Sequence, residues 1–281
     1  MIRLPAYAKL NLFLEILGRR ADGFHDIETV FQTIDLHDDV TVELTARPGI
    51  SLACDDATLP CDATNLAWRA AAAYQTANPA IGGLAISLLK RIPAGAGLGG
   101  GSADAAAVLR ACDRMAERPL GAERLEAIGA TLGSDISFLV RGGTAHATGR
   151  GEVLTRLPDA PGLELTLLMP EGAHCATPAV YRALDDAERG PRQARGAAWF
   201  AGRIADPPSW LGNRLTGPAC RVCPAVGTLL EHLAGLGVPH LMTGSGAACF
   251  ACAAVEPPPG VRAWRTRLVP QASLGFEPGL D

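Results

Sequence analysis

Gly95-Ala96-Gly97-Leu98-Gly99-Gly100-Gly101-Ser102 places five glycines in seven residues and runs directly into Ala103 to Met115, a stretch of high helix propensity. Without Cβ atoms in the way, backbone N–H groups can close around an anion. The partial positive charge at a helix start adds to that attraction. Ser102 is expected as the N-cap, with Asp104 in the first turn, where the helix dipole favours a carboxylate. Upstream, Gly83 to Ile92 carries Ile86, Leu88 and Leu89 before Lys90 and Arg91 and reads as a strand ending at Pro93. The order is therefore strand, glycine loop, helix, and phosphate is the expected occupant. A flexible surface loop is the plainer reading, but such a loop need not feed a capped helix. Gly95-x-Gly97-x-x-Gly100 also matches the dinucleotide fingerprint, yet Gly99 and Gly101 stand outside that pattern and a β-rich stretch precedes it. No Gly-Lys-Ser/Thr follows, so the Walker pattern fails. A third kind of phosphate loop is indicated.

Toward the N-terminus, Leu10, Leu12, Leu14 and Ile16 alternate with Lys9, Asn11 and Glu15, which predicts a strand with one apolar and one polar face. A turn over Gly18 to Gly23 leads to Phe24, His25 and a strand over Ile27 to Leu36. Shorter strands are expected at Val40–Leu44 and Ile50–Ala53, completing a β-meander, and Asn65 to Ala77 reads as a helix. Beyond Arg150, Pro158 to Pro161 marks a domain boundary. A strand at Leu163–Met169 and helices at Pro178–Glu188 and Pro224–Leu236 follow, while Arg189 to Ser209 takes no assignment. Met242-Thr243-Gly244-Ser245-Gly246 separates two short strands, the second within Ala247 to Ala253.

At 281 residues the chain can bury one large core or two modest ones, and two domains are expected. A net charge of -4 and the lack of any Lys/Arg cluster argue against nucleic acid as a partner. Met1-Ile2-Arg3-Leu4-Pro5 does not resemble a secretory leader, and no apolar run approaches the roughly 18 residues that span a bilayer. A cytoplasmic location without membrane contact is expected. Eight cysteines in such a chain read as reduced thiols. Cys220 with Cys223 and Cys249 with Cys252 have metal-ligand spacing, but strand residues three apart point to opposite faces, so no metal site is assigned.

Pro93 through Ala107 resembles the central motif of the GHMP kinases, the superfamily of galactokinase, homoserine kinase and mevalonate kinase. Three further segments resemble one branch of it: Ala8-Lys9-Leu10-Asn11-Leu12 with Gly18-Arg19-Arg20-Ala21-Asp22-Gly23-Phe24-His25, then Leu132-Gly133-Ser134-Asp135, then Met242 to Gly246. That branch phosphorylates the tertiary 2-hydroxyl of a cytidine diphosphate derivative of methylerythritol in the non-mevalonate isoprenoid pathway. The resemblance implies an α+β, two-domain fold with the active site in the interdomain cleft, an ATP-binding domain over 1–156 and a second domain over 157–281. It implies ATP with Mg2+ as cofactors, a small-molecule substrate and no obligatory protein partner. Lys9 and Asp135 match the catalytic pair: a carboxylate to accept the hydroxyl proton, and a cation to steady the developing alkoxide. Asn65 and Lys90 match positions near the adenine, and Pro93, Ala94, Gly95, Ala96, Gly97, Leu98, Gly99, Gly100, Gly101, Ser102 and Ala103 match the phosphate loop.

On the substrate side, the resemblance assigns His25 to a hydrogen bond with cytosine and Phe24 and Tyr181 to stacking, with Phe24 standing where the family usually has Tyr. Asn11, Thr177 and Pro178 match substrate contacts, and the amides of Gly244, Ser245 and Gly246 suit the diphosphate. The family's Asn-Asp-Leu-Glu element stands here as Asn213-Arg214-Leu215-Thr216, without its acids. Taken alone, Asp135 reads as a capping or surface residue, Lys9 as a solvated strand residue and Lys90 as a strand-end lysine. Another GHMP kinase acting on a sugar, homoserine or mevalonate, a silent nucleotide-binding protein and a dehydrogenase remain the alternatives.

Overall fold

The computed structural model describes residues 1–185, 188 and 194–275. In chain order the elements are β1 (Ile2–Arg19), β2 (His25–Thr45), β3 (Ile50–Cys54), α1 (Leu66–Ala77), β4 (Gly83–Leu89), α2 (Gly100–Met115), α3 (Ala122–Leu132), α4 (Ser134–Arg141), β5 (Thr144–Thr148), β6 (Val153–Arg156), β7 (Glu164–Pro170), α5 (Thr177–Arg182), α6 (Ala197–Ala201), β8 (Gly212–Asn213), α7 (Thr216–Val222), α8 (Pro224–Gly235), β9 (His240–Met242), β10 (Cys249–Ala251) and β11 (Val261–Arg267). They form two compact units. One comprises Met1–Ala8, Leu36–Pro93 and Gly99–Gly142; the other comprises Lys9–Asp35, Ala94–Leu98 and the described residues from Gly143 onward. The units interleave along the chain, because β1 and β2 each contribute residues to both.

In the first unit β4 pairs antiparallel with β2, from Asp39 opposite Leu89 to Thr45 opposite Gly83, and parallel with β3. Helix α1 packs on α2, and α4 packs on both α2 and α3. Ala67, Ala70 and Ala71 of α1 and Ala103, Ala105, Ala106, Ala107 and Ala111 of α2 are buried. These small side chains let helix backbones approach closely while each contributes high helix propensity. The expected break between Leu36 and Val40 is absent, and β2 runs through as one strand. Its polar residue Asp38 is fully buried and accepts N–H bonds from Arg91 and Ile92, so the chain there is paired instead of turning outward.

In the second unit the strands β11-β7-β10-β9 form a four-stranded antiparallel sheet, with Trp264 opposite Leu167, Cys249 opposite Leu168 and Phe250 opposite Leu241. Helices α7 and α8 supply Ala219, Val226, Leu229 and Leu233 to a core shared with Leu168, Val180, Leu215 and Met242. Each large aliphatic buried there contributes about 1.5–3 kcal/mol. Strand β5 pairs with β2 at Thr29–Gln32, β6 pairs with β5, and β8 pairs parallel with β1 through Phe13–Gly212 and Leu14–Asn213. Helix α8 ends at Gly235 and β7 spans Glu164–Pro170, each within a residue of expectation, whereas β10 is only the centre of Ala247–Ala253. The helix expected over Pro178–Glu188 is the shorter α5, with residues 186 and 187 outside the described residues. Residues 189–193 of the unassigned stretch also lie outside them. Among the described residues no helix is long and apolar enough to cross a membrane.

Candidate active site

The glycine loop is built from alternating left-handed residues: Gly95, Gly97 and Gly99 have φ of +66°, +75° and +72°. Ala96 and Leu98 between them are buried and bonded, Ala96 O accepting from Ala248 N (3.2 Å) and Leu98 O from Lys9 N (3.0 Å). At Gly97 the backbone comes so close to the next turn that an added Cβ would stand 2.6 Å from Thr243 O. Because Gly99 takes the left-handed conformation, α2 starts at Gly100, and Gly99 is its N-cap. Ser102 therefore lies inside the first turn and is not the N-cap. Asp104 lies beyond that turn and is buried, so it does not serve the helix dipole as expected. No side chain caps α2. The first N–H groups of a helix have no intrahelical acceptor. A sixteen-residue helix that opens on Gly99, Gly100 and Gly101 with no side-chain cap fits an oxyanion such as a nucleotide phosphate.

Lys90 follows β4 and is not a surface lysine. Its ammonium is held between the Asp38 and Asp104 carboxylates, both buried. Asp38 also accepts N–H bonds from Arg91 (2.5 Å) and Ile92 (2.8 Å), which fixes the chain just before Pro93 and Ala94. Burial works against the charge on Lys90, but Asp104 and Asp38 outweigh it and raise its pKa. Burial pushes Asp104 up to about 7; Lys90 pulls it down, and the nearby Asp38 charge pushes it up again. Asn65 caps α1, Oδ1 accepting from Ala67 N (2.9 Å), while Nδ2 donates to Pro60 O (2.8 Å). These residues, with Gly99–Ala103, belong to the first unit.

Lys9 and Asn11 lie in the second unit on β1 and are buried, at 4% and 3% exposure. The polar face of that strand is not solvated. Lys9 Nζ donates to Asn11 Oδ1 (2.7 Å) and stands 5.5 Å from the centroid of Phe31. Asn11 Nδ2 donates to Thr29 Oγ1 (2.8 Å), whose hydroxyl donates to Phe13 O (2.6 Å). The amide orientation is thus set from β2. Asn11 N donates to Thr243 Oγ1 (2.8 Å), tying β1 to the turn that carries Gly244, Ser245 and Gly246. Gly244 and Gly246 have φ of +56° and +85°. Ser245 Oγ is 2.8 Å from Thr177 Oγ1, at the start of α5 where Pro178 occupies the first turn. Thr29, Asp38 and the Thr243 hydroxyl are contributors that sequence reading missed. Asp38 alone left a signal, an acid flanked by strand residues.

His25 and Tyr181 come together, ring centroids 4.9 Å apart and inclined by 36°. Phe24 is 55% exposed at the end of a turn in which Arg20 pairs with Asp22 and Asp26, and Arg150 lies 5.1 Å from its ring. An aromatic ring held out to solvent beside a His–Tyr pair offers a platform for a flat base. Asp135 stands in the first turn of α4, half-buried, in the first unit.

Residues 65–144 match the family model for the GHMP kinases N terminal domain. The chain is 42% identical over 261 residues to the 4-diphosphocytidyl-2-C-methyl-D-erythritol kinase of Moorella thermoacetica, covering 90% of each. To the enzyme of the same name from Pelotomaculum thermopropionicum it is 41% identical over 254 residues, covering 89% of this chain and 88% of that one. A crystal structure of 4-(cytidine 5'-diphospho)-2C-methyl-D-erythritol kinase superposes with a TM-score of 0.78 at 36% identity, over 95% of this chain and 99% of that one. Homoserine kinase from Cytophaga hutchinsonii shares the fold at 17% identity, with a TM-score of 0.70 over 98% of this chain and 87% of that one.

Proposed function

Because this chain belongs to the 4-diphosphocytidyl-2-C-methyl-D-erythritol kinase family of the GHMP kinases, we propose that Lys9, Asn11 and Asp135 serve its phosphoryl transfer and that the turn at Gly244–Gly246 receives its substrate's diphosphate. The chain is an ATP-dependent kinase with an α+β GHMP fold. It phosphorylates the 2-hydroxyl of 4-(cytidine 5'-diphospho)-2-C-methyl-D-erythritol in the non-mevalonate route to isoprenoid precursors. The single observation that carries the assignment of chemistry is the buried Lys9–Asn11–Thr29 chain. A lysine whose acceptor, the Asn11 amide, is itself held by Thr29, with the Thr29 hydroxyl in turn bonded to Phe13 O, is a fixed charge, and fixed charge is what stabilises a developing alkoxide without reorganisation.

In this reading the 2-hydroxyl oxygen attacks the γ-phosphorus of ATP, its proton passes to the Asp135 carboxylate, and the bond to the β-phosphate oxygen breaks to release ADP. Gly95–Ala103 hold the triphosphate through backbone N–H groups, and Lys90 and Asn65 flank the adenine. Phe24, His25 and Tyr181 take the cytosine; Thr177, Pro178 and Ser245 line the path to it. Magnesium accompanies ATP and offsets phosphate charge. Among the described residues no group of three or more His, Cys, Asp and Glu could hold a metal. Location in the cytoplasm and action without a protein partner belong to the same proposal.

Turnover tests this directly. ADP release from ATP should depend on the cytidylated methylerythritol and be negligible with mevalonate, homoserine or galactose. Robust phosphorylation of any of those three in its place would overturn the assignment of the Phe24–His25 region.

A further inference from the structure

We propose that Asn213 is the positioning residue of the diphosphate-binding turn. This rests on the assignment of Gly244–Gly246 to the diphosphate. Asn213 lies on β8, a strand of two residues, held in parallel register with β1 by Leu14. Its carboxamide uses all of its polar atoms on backbone. Nδ2 donates to Met242 O (2.7 Å) and to Gly244 O (2.8 Å), while Oδ1 accepts from Leu215 N (2.9 Å). Two carbonyls on either side of Thr243 are thus drawn to one amide. The turn is closed internally by Gly246 N on Thr243 O (3.0 Å), and Thr243 N donates to Ala248 O (3.0 Å). With its carbonyls turned to Asn213, the turn leaves the N–H groups of Gly244 and Ser245 without a backbone acceptor among the described residues. Successive N–H groups freed in this way form an anion nest. Asn213 therefore sets which way the turn's peptide dipoles point.

The neighbouring substitution fits the same device. Arg214, standing where the family has an acid, donates its N–H to Leu14 O (2.8 Å), pairs with Glu15 of β1 (3.5 Å) and donates from Nε to Glu188 O (3.0 Å). Glu15 is itself buried. The basic residue thus fastens β8 to the strand that carries Lys9 and Asn11, and the lost acid is matched by a carboxylate on the other strand.

The test compares Asn213→Ala and Asn213→Asp with Gly244→Ala. The Asp variant keeps the acceptor for Leu215 N but has no N–H to give, and turns a carboxylate oxygen toward two carbonyls. KM for the cytidylated substrate should rise about tenfold or more in both Asn213 variants, the equivalent of one to two hydrogen bonds, and KM for ATP should stay within about twofold. Hydrogen exchange of the folded variants gives a second reading: amides of 243–246 should exchange faster, those of α2 at the wild-type rate. Gly244→Ala, whose Cβ would meet Gly97 O at 2.9 Å, should also raise substrate KM. If Asn213→Asp matches wild type in substrate KM and exchange while Gly244→Ala does not, Asn213 serves only Leu215 and the proposal fails alone. If Gly244→Ala also leaves substrate KM unchanged, the assignment of the turn fails with it.

Discussion

Lys9 keeps its ammonium on Asn11 because Thr29 occupies the other end of the same amide, and the Thr29 hydroxyl is spent on Phe13 O. Thr29→Val keeps the shape and removes that anchor, leaving a buried N–H without an acceptor at a cost of about 1–3 kcal/mol. We expect a lower Tm together with a lower kcat; a wild-type kcat would show that the orientation of Asn11 has no part in turnover. Asp135→Asn should lower kcat by about 10² to 10⁴ with substrate KM little changed, as for loss of a positioned base. Near-normal single-turnover rates would place the catalytic carboxylate elsewhere. At Asp104 the sign of the pH effect follows from its raised pKa. A carboxyl with a folded pKa of about 7 against an ordinary 3.8 favours the fold while protonated, and that contribution is lost as pH rises from about 4 through about 7. Asp104→Asn mimics the protonated form. Its Tm should therefore fall less between pH 5 and pH 8 than that of wild type, and parallel melting curves across this range would contradict the assignment.

The glycine loop and α2 separate two uses of glycine. At Gly97 an added Cβ meets Thr243 O at 2.6 Å with φ at +75°, so Gly97→Ala should destabilise the fold as well as impair binding. At Gly101 the nearest atom to an added Cβ is Leu66 Cδ1 at 3.7 Å, and φ is not positive. Gly101→Ala should leave Tm nearly unchanged and raise KM for ATP several-fold if phosphate lies against that turn. Unchanged ATP affinity would remove the start of α2 from the site. The same elements show what local sequence carries. The Ala-rich run after the loop was legible as a helix because propensity is local. Its first residue was not: Ser102 looked like an N-cap, but Gly99 in a left-handed conformation let the helix begin three residues earlier. Likewise β2 looked like two strands until Asp38 found Lys90, Arg91 and Ile92, more than fifty residues away.

For the molecule as a whole, binding to the native state alone raises stability by about 2.7 kcal/mol at a ligand concentration of 100 Kd. Saturating ATP with magnesium should therefore raise Tm by about 5–10 °C for a chain of this size. Chelating magnesium should abolish turnover and leave the Tm of the ligand-free protein unchanged. A drop in Tm on chelation would reveal a structural ion. The chain's two interleaved units mark the limit of linear reading. Sequence by itself determined the α+β class, the order of strand, glycine-rich loop and helix, and the family, because each depends on residue types close together along the chain. Tertiary structure alone decided that the polar face of β1 is buried, that Lys90 is clamped by Asp38 and Asp104, and that Asn213 holds the Met242–Gly246 turn. Those facts depend on which donor meets which acceptor after long loops close, and one sequence does not encode that pairing in any local pattern.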